Sequence, residues 1–364
     1  MTPRRVAFLL PHFRPGGAER VVLNWIAALD RDRFEPVLML GRVDGAFLDL
    51  LPRETQVVAI GGDRALSRPW RIARRLREHG IDVAYSATSA MNLALLAAPT
   101  RTPRIVSEHT PPAAFLAEAK WPLLRGTATR LLRRRASAVA VPTRAIAAEI
   151  AGARVRVVRN PVLAAVPAPL PAFDPATRHL VAAGRLVPAK GFDTLIDAAA
   201  RLAAAGERFM LAIHGDGPER AALERQIARA GLSGTVTLAG HTPDLAPVLA
   251  HAALLVSSSR REGFGNVLIE AMAVGTPVLA TRAGGPETFI EHDRNGFLVE
   301  PGDAAALAAT IASLLHDAAR RARVRAAARD TAARYTVAAS TDEFTALLDA
   351  VLARSRPTSG SRAT

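Results

Sequence analysis

Short apolar runs alternate with longer stretches of helical periodicity along almost all of this chain, and few folds tolerate that alternation. In the first half, strand-length runs fall at residues 5–10, 34–40, 56–60, 82–86, 104–108, 138–142 and 155–158. Amphipathic stretches separate most of them; residues 18–29 put Val21, Val22, Trp25, Ile26 and Leu29 on one face. The pattern then restarts. Strands are predicted at 180–183, 210–214, 236–239, 254–258, 277–280 and 296–299, and helices at 192–205, 219–230, 267–274, 304–316, 317–333 and near 341–353. Strands that alternate with helices pair in parallel, because the crossover needs the helix. Between the two series, residues 161–175 are rich in Pro and Ala and have no period, which reads as a linker. The expected fold class is therefore α/β, with two Rossmann-like doubly wound domains facing across a cleft. They are placed at 1–162 and 177–335, with a linker at 163–176, a last helix at 336–354 and a disordered Ser/Arg/Thr tail at 355–364. In such sheets, ligands bind at the carboxyl ends of the strands.

Composition narrows the chemistry. The chain has 364 residues, enough for two domains, and 49% of them are hydrophobic. There is no cysteine, so disulfides, thiolate nucleophiles and Cys-ligated metals are excluded. The apolar run at 6–10 is too short for a signal h-region or a membrane span and reads as a buried strand, so a cytoplasmic location is expected. The net charge of +14 is uneven: residues 1–162 hold 26 Lys and Arg against 13 Asp and Glu. A basic half favours polyanions or anionic lipid, and Arg-rich composition alone is the plainer explanation.

The second half carries the motifs. Glu262-Gly263-Phe264-Gly265-Asn266 follows a predicted strand and the serines 257–259, and opens a helix that contains Glu270. The glycines permit a tight turn and close approach, and a helix start presents N–H groups to an anion. Carboxylates there can accept hydrogen bonds from sugar hydroxyls. Gly184-Arg185-Leu186 and Lys190-Gly191 follow the first strand of this half, where Arg185 and Lys190 can reach a diphosphate. His214-Gly215-Asp216-Gly217-Pro218-Glu219, Gly240, Ala283-Gly284-Gly285-Pro286-Glu287 and Asn295-Gly296 mark further strand ends and turns. Turn glycines and helix caps account for any one of these alone. Glycine at every strand end, with charge at two, goes beyond what packing requires.

In their order, GRL…KG, GDGPE, EGFGNVLIEAMA, GTPV, GGPE and NGFLV resemble the retaining glycosyltransferases of family 4, the group 1 glycosyl transferases. The resemblance is dense over residues 178–303. It is thinner over 1–160, where it rests on Gly16-Gly17-Ala18-Glu19-Arg20 and Ser107-Glu108-His109-Thr110. It implies a GT-B fold and a nucleoside diphosphate sugar as co-substrate, with no cofactor and no metal. It also implies hexosyl or N-acetylhexosaminyl transfer with retention of anomeric configuration. Arg185 and Lys190 would hold the pyrophosphate and Glu270 the ribose. Glu262 would contact the donor sugar, with the backbone of Gly263, Phe264, Gly265 and Asn266 nearby. Gly184, Gly215 and Gly240 would line the donor, the base lying near residues 240–242. His109 would sit beside the donor sugar, Gly16 and Gly17 would close over the phosphates, and the last helix would cross back to the first domain. Glu262 is the only nearby carboxylate for a double displacement and is committed to hydroxyl binding, so front-face attack is favoured.

The first domain is then expected to bind a lipid-linked or polysaccharide acceptor, in cell-envelope or exopolysaccharide synthesis. UDP-sugar is favoured over GDP-sugar. Residues 120–125 and 130–135, with Trp70 and the arginines at 71–77, combine basic charge with Trp and Leu, as helices lying on anionic membranes do. Peripheral attachment at the inner face of the cytoplasmic membrane is expected. Competing readings are an inactive sugar-nucleotide-binding subunit and an epimerase on the same fold, which would lack the GRL…KG and paired-glutamate set. A nucleic-acid partner is not expected: the charge finds no zinc motif or RNP signature, and only 5% of residues are aromatic.

Overall fold

The computed structural model describes residues 2–61, 69–108, 122–150, 152, 154–167 and 174–355. They form two compact units, one of Met1–Pro161 with Val337–Thr364 and one of Val162–Thr336.

The first unit is built on a seven-stranded sheet of order β3-β2-β1-β4-β5-β6-β7. Its strands are β1 (Arg4–Leu10), β2 (Phe34–Leu40), β3 (Gln56–Ala59), β4 (Val83–Ser86), β5 (Arg104–Ser107), β6 (Ala138–Val141) and β7 (Val155–Val157). Every pairing is parallel. Strand β1 lies centrally and is covered on both faces, which is why residues 6–10 read as an unbroken apolar run: all five are 0% exposed. The helix Gly17–Ala28 buries Val21, Val22, Trp25 and Ile26 against the sheet. Its first turn contains Glu19 instead of a side-chain cap, and an acid there is favoured by the helix dipole.

The last helix, Val337–Ser355, belongs to this unit. Its anchor is Phe344, fully buried and stacked on Trp25 with ring centroids 4.2 Å apart and planes 3° from parallel. Phe8 and Tyr85 complete the aromatic cluster. The Trp25 indole N–H donates to Ser340 Oγ at 2.9 Å, so the one polar atom of that ring is satisfied inside the core. Arg159 pairs with Glu343 on the same helix.

The second unit carries a six-stranded parallel sheet of order β10-β9-β8-β11-β12-β13. Its strands are β8 (His179–Ala183), β9 (Met210–His214), β10 (Val236–Gly240), β11 (Leu254–Ser257), β12 (Val278–Thr281) and β13 (Phe297–Val299). Leu180, Ala182, Leu211 and Ile213 share one core with the helices Phe192–Ala204 and Ala304–His316. On the other face, Val181 and Leu255 pack with the helix Asn266–Ala273 and with residues of Ala318–Ala332. Parts of 163–176 are tied to this unit: Leu163 is buried and bridges Thr336, and Arg321 donates to Pro175 O at 2.9 Å.

Strand order reverses once in each sheet, between β1 and β4 in the first unit and between β8 and β11 in the second. Helices therefore leave the two sides of each boundary on opposite faces, and the loops beyond the strand ends diverge to leave room for a ligand. The aromatic anchor of the last helix is directly testable. Phe344→Ala removes a fully buried ring from a stacked cluster and should cost about 3–5 kcal/mol in urea unfolding. A loss below about 1 kcal/mol would mean that the helix is held by its ion pairs instead.

Candidate active site

Two loops meet at the boundary in the second sheet. The loop after β8 runs through Gly184, Arg185 and Leu186 into a short 3-10 turn, Pro188–Lys190, and then into the helix Phe192–Ala204. The loop after β11 runs through Ser258, Ser259 and Glu262 to Gly265, which precedes the helix Asn266–Ala273. Gly265 sits at φ 94°, a left-handed conformation that favours glycine, and an added Cβ would lie 2.8 Å from Leu268.

Lys190 and Glu262 face each other across the boundary: Lys190 Nζ donates to Glu262 Oε2. Ser259 Oγ donates to the same oxygen at 3.2 Å, and Oε1 takes part in neither bond. The pair is largely shielded, with 24% of the lysine side chain and 14% of the glutamate exposed. Its attraction is therefore screened less than that of a surface pair. An ammonium has three donors, so contact with one carboxylate oxygen leaves two for another anion. Arg185, on the same loop, is exposed, and its guanidinium makes no hydrogen bond or ion pair with another described residue.

Close backbone packing sets this geometry. Gly215 follows β9 at φ 136°, and an added Cβ would lie 1.9 Å from Gly184 O. The loops after β8 and β9 are stitched by Gly184 N to His214 O and Leu186 N to Asp216 O, both at 2.9 Å. The third loop of this edge is reached through Gly215 N to Gly240 O, 2.7 Å. On the other side, Glu262 N donates to Ala283 O at 2.9 Å, and the backbones of Glu262 and Gly284 form a β-bridge. Gly184, Gly215, Gly263 and Gly265 thus lie in strand-end loops of one sheet edge, and Gly240 ends β10 at the same edge.

The other predicted site residues are distributed as follows. Glu270 is half-buried in the second turn of the helix that Asn266 opens. Phe264 is 4% exposed and packs on Phe289 and Tyr335 with centroids 5.0 and 5.1 Å away, so its side chain is a core anchor and only its backbone can meet a ligand. Gly16 caps and Gly17 opens the helix that follows β1 in the first unit, and an added Cβ on Gly16 would meet Glu19 Oε2 at 2.3 Å. His109 lies outside the described residues, as do Thr110, Lys120 and Trp121. Its neighbour Glu108 is described: it pairs with Arg133 at 3.4 Å, and burial pushes its carboxyl above the ordinary range.

Sequence reasoning placed the base near residues 240–242 but assigned no site role to His214 and did not pair it with Thr242. His214 Nδ1 lies 2.7 Å from Thr242 Oγ1, while Nε2 is buried with no hydrogen-bond partner among the described residues. Only the histidine next to the GDGP run signals this pair.

Comparison with known proteins matches this arrangement. The model of the family described as Glycosyl transferases group 1 matches residues 172–331, and that of Glycosyltransferase Family 4 matches residues 15–164. The lipopolysaccharide core biosynthesis glycosyltransferase LpsE of Rhizobium meliloti is 39% identical over 166 residues, 45% of this chain and 48% of that protein. The chain thus spans about half the length of the curated relatives it matches. Anabaena Alr3699/HepE, solved with UDP-glucose, superposes with a TM-score of 0.79 at 26% identity, over 95% of this chain and 99% of that one. Sucrose-phosphate synthase from Thermosynechococcus elongatus shares the fold, with a TM-score of 0.79 at 19% identity over 96% of this chain and 100% of that one.

Two parallel-sheet α/β units with these neighbours define the GT-B fold. The chain belongs to the group 1 glycosyltransferases, in the family-4-like set.

The His214 environment carries a pH prediction. Burial holds its imidazole below the ordinary value, so the folded state favours the neutral ring. A depressed folded value gives stability that is present above the unfolded pKa of about 6.5 and lost as pH falls through the folded one. Urea midpoints should therefore drop between pH 7.5 and 5, and His214→Val should flatten part of that drop. An unchanged slope in the variant would show that the ring is not the titrating group.

Proposed function

We propose that this chain transfers a glycosyl group from a nucleoside diphosphate sugar, a UDP-sugar in the first place, to a hydroxyl of a glycan or lipid-linked acceptor in cell-surface polysaccharide synthesis. The observation that carries the reading is the Lys190–Glu262 contact at the β8/β11 boundary. In a sugar nucleotide the phosphate and the sugar are joined by one bond. A site for it needs a cation and a hydroxyl acceptor side by side, and an ammonium touching a carboxylate is such a pair. Lys190 retains donors for a phosphate, and Glu262 retains Oε1 for a sugar hydroxyl. The unpaired Arg185 supplies a second cation on the same loop, and Glu270 a carboxylate for the ribose. The UDP-glucose in the HepE structure and the lipopolysaccharide role in the name of LpsE support the donor class and the acceptor class.

The reaction forms a bond from the acceptor oxygen to the anomeric carbon and breaks the bond from that carbon to the diphosphate. The leaving diphosphate gains charge in the transition state, where Arg185, Lys190 and the N–H groups at Asn266 can stabilise it without a metal ion. Glu262 Oε2 already accepts from Lys190 and Ser259, which holds the carboxylate in a binding role and weakens it as a nucleophile. Front-face attack with retention follows, the departing phosphate taking the acceptor proton. A hexose or N-acetylhexosamine is the transferred sugar in this reading. A panel of UDP-, GDP- and ADP-sugars should raise the melting temperature most with UDP-sugars, by several degrees at about 100 times Kd. UDP release in the presence of acceptor glycan separates an enzyme from an inactive binding subunit. No shift with any of the three nucleotides would contradict the reading.

Membrane contact belongs to the same proposal. The helix Pro69–Glu78 buries Ile72, Ala73 and Leu76, while Trp70 is 76% exposed at its start. Leu131, on the basic helix Pro122–Arg133, is 62% exposed. No helix among the described residues is long and apolar enough to cross a membrane. Surface attachment through Trp and Arg is the mode these residues support. Vesicles containing anionic lipid should float the protein at low salt and release it at high salt, and Trp70→Ala should reduce flotation. Equal flotation with neutral vesicles would remove the electrostatic part of the reading.

A further inference from the structure

Four hydrogen bonds run from the loop after β11 into the short turn after β8. The backbone N–H groups of Arg260 and Arg261 donate to Ala189 O at 2.9 and 3.3 Å. Ser258 Oγ donates to Lys190 O at 3.1 Å, and Arg260 Nη1 donates to Pro188 O at 2.9 Å. The same guanidinium forms a fork on Asp193, with Nη1–Oδ1 at 2.8 Å and Nη2–Oδ2 at 2.6 Å, and Nη2 also reaches Thr194 Oγ1 at 3.1 Å. Pro188 and Asp193 lie on either side of Lys190 in the chain. One side chain therefore grips both flanks of the turn that carries the ammonium.

The network does little for global stability. Arg260 and Asp193 are 40% and 48% exposed, and ion pairs that open to water stabilise a fold only weakly. What the fork supplies is position. A guanidinium that holds a carboxylate bidentately while also bonding a carbonyl and a hydroxyl leaves the turn a single orientation. Asp193 sits in the first turn of the helix Phe192–Ala204, so the fork ties the turn to a rigid element as well.

We infer that Arg260, with Asp193, is a positioning residue for Lys190: it locks the 188–193 turn so that the ammonium meets Glu262 and a donor phosphate at one fixed point. Arg260 does not itself touch the donor. The inference rests on the donor-site reading above.

The test is a calorimetric titration of UDP against the unaltered protein and the variants Arg260→Ala, Arg260→Lys, Asp193→Ala, Arg260→Ala/Asp193→Ala and Lys190→Ala, with a melting temperature for each. Arg260→Ala should weaken UDP binding about tenfold, since a small displacement of a binding group is costly. Its melting temperature should stay within about 3 °C of the parent. Arg260→Lys should recover part of the affinity. The double variant should be no worse than either single one, because both break the same fork. If Arg260→Ala binds UDP within about twofold of the parent while Lys190→Ala loses binding, the inference is overturned and the donor site stands. If Lys190→Ala also binds like the parent, the donor-site reading falls and the role of Arg260 with it. Should Arg260→Ala melt far below the parent, Asp193→Asn, which keeps the side-chain shape and removes only the charge, is judged by the same criteria.

Discussion

The contact between one ammonium and one carboxylate, made where the second sheet reverses its strand order, is the interaction on which the candidate site depends. Lys190 comes from the loop after β8 and Glu262 from the loop after β11, 72 residues apart in sequence and adjacent in space. Parallel pairing of β8 with β11 brings the two loops together, because adjacent parallel strands place their carboxyl ends at the same sheet edge. The contact is too shielded to be a casual surface pair and too open to be a core pair. Removing either partner would leave a charge short of water and short of a counter-ion, so the pair is costly to disturb. A ligand that presents a phosphate to one member and a hydroxyl to the other can bind without breaking it.

Around this contact the structure spends its backbone freedom on closeness. At Gly215 a side chain would collide with the neighbouring loop, and at Gly265 the chain must turn left-handed to begin the next helix. Those two positions let three strand-end loops lie backbone to backbone and aim helix N-termini at one edge. The first unit follows a different economy. Its aromatic cluster of Trp25, Phe344, Phe8 and Tyr85 is committed to holding the C-terminal helix, while its excess of Arg stays at the surface.

Much of the fold was legible because a buried parallel strand has to be apolar on both faces. Residues 6–10 and 254–256 show that signature without ambiguity, and the predicted helix 304–316 coincides with Ala304–His316. Boundaries were less sharp where capping is local: the periodicity placed the last helix near 341–353 and the domain division at 336–354, and the helix runs Val337–Ser355. Parts of the site were legible from glycine and charge at strand ends, as with Gly184, Arg185, Lys190 and Glu262. Pairings were not. Nothing local links Arg260 to Asp193, 67 residues earlier, or His214 to Thr242, since each link is created by the order in which strands join the sheet. Phe264 illustrates the reverse case: a motif residue by pattern, it proves to be a core side chain whose backbone alone faces the site.

The central claim is that Arg185 and Lys190 together grip the diphosphate of a sugar nucleotide. The most direct measurement is the affinity of the Arg185→Ala/Lys190→Ala double variant for UDP, taken beside its melting temperature without ligand. The account predicts that affinity falls by about a hundredfold or more, each charge-assisted contact being worth about 1.5–3 kcal/mol, while the melting temperature drops only by the few degrees that an unpaired Glu262 costs. Parent-like affinity in a folded double variant would contradict it.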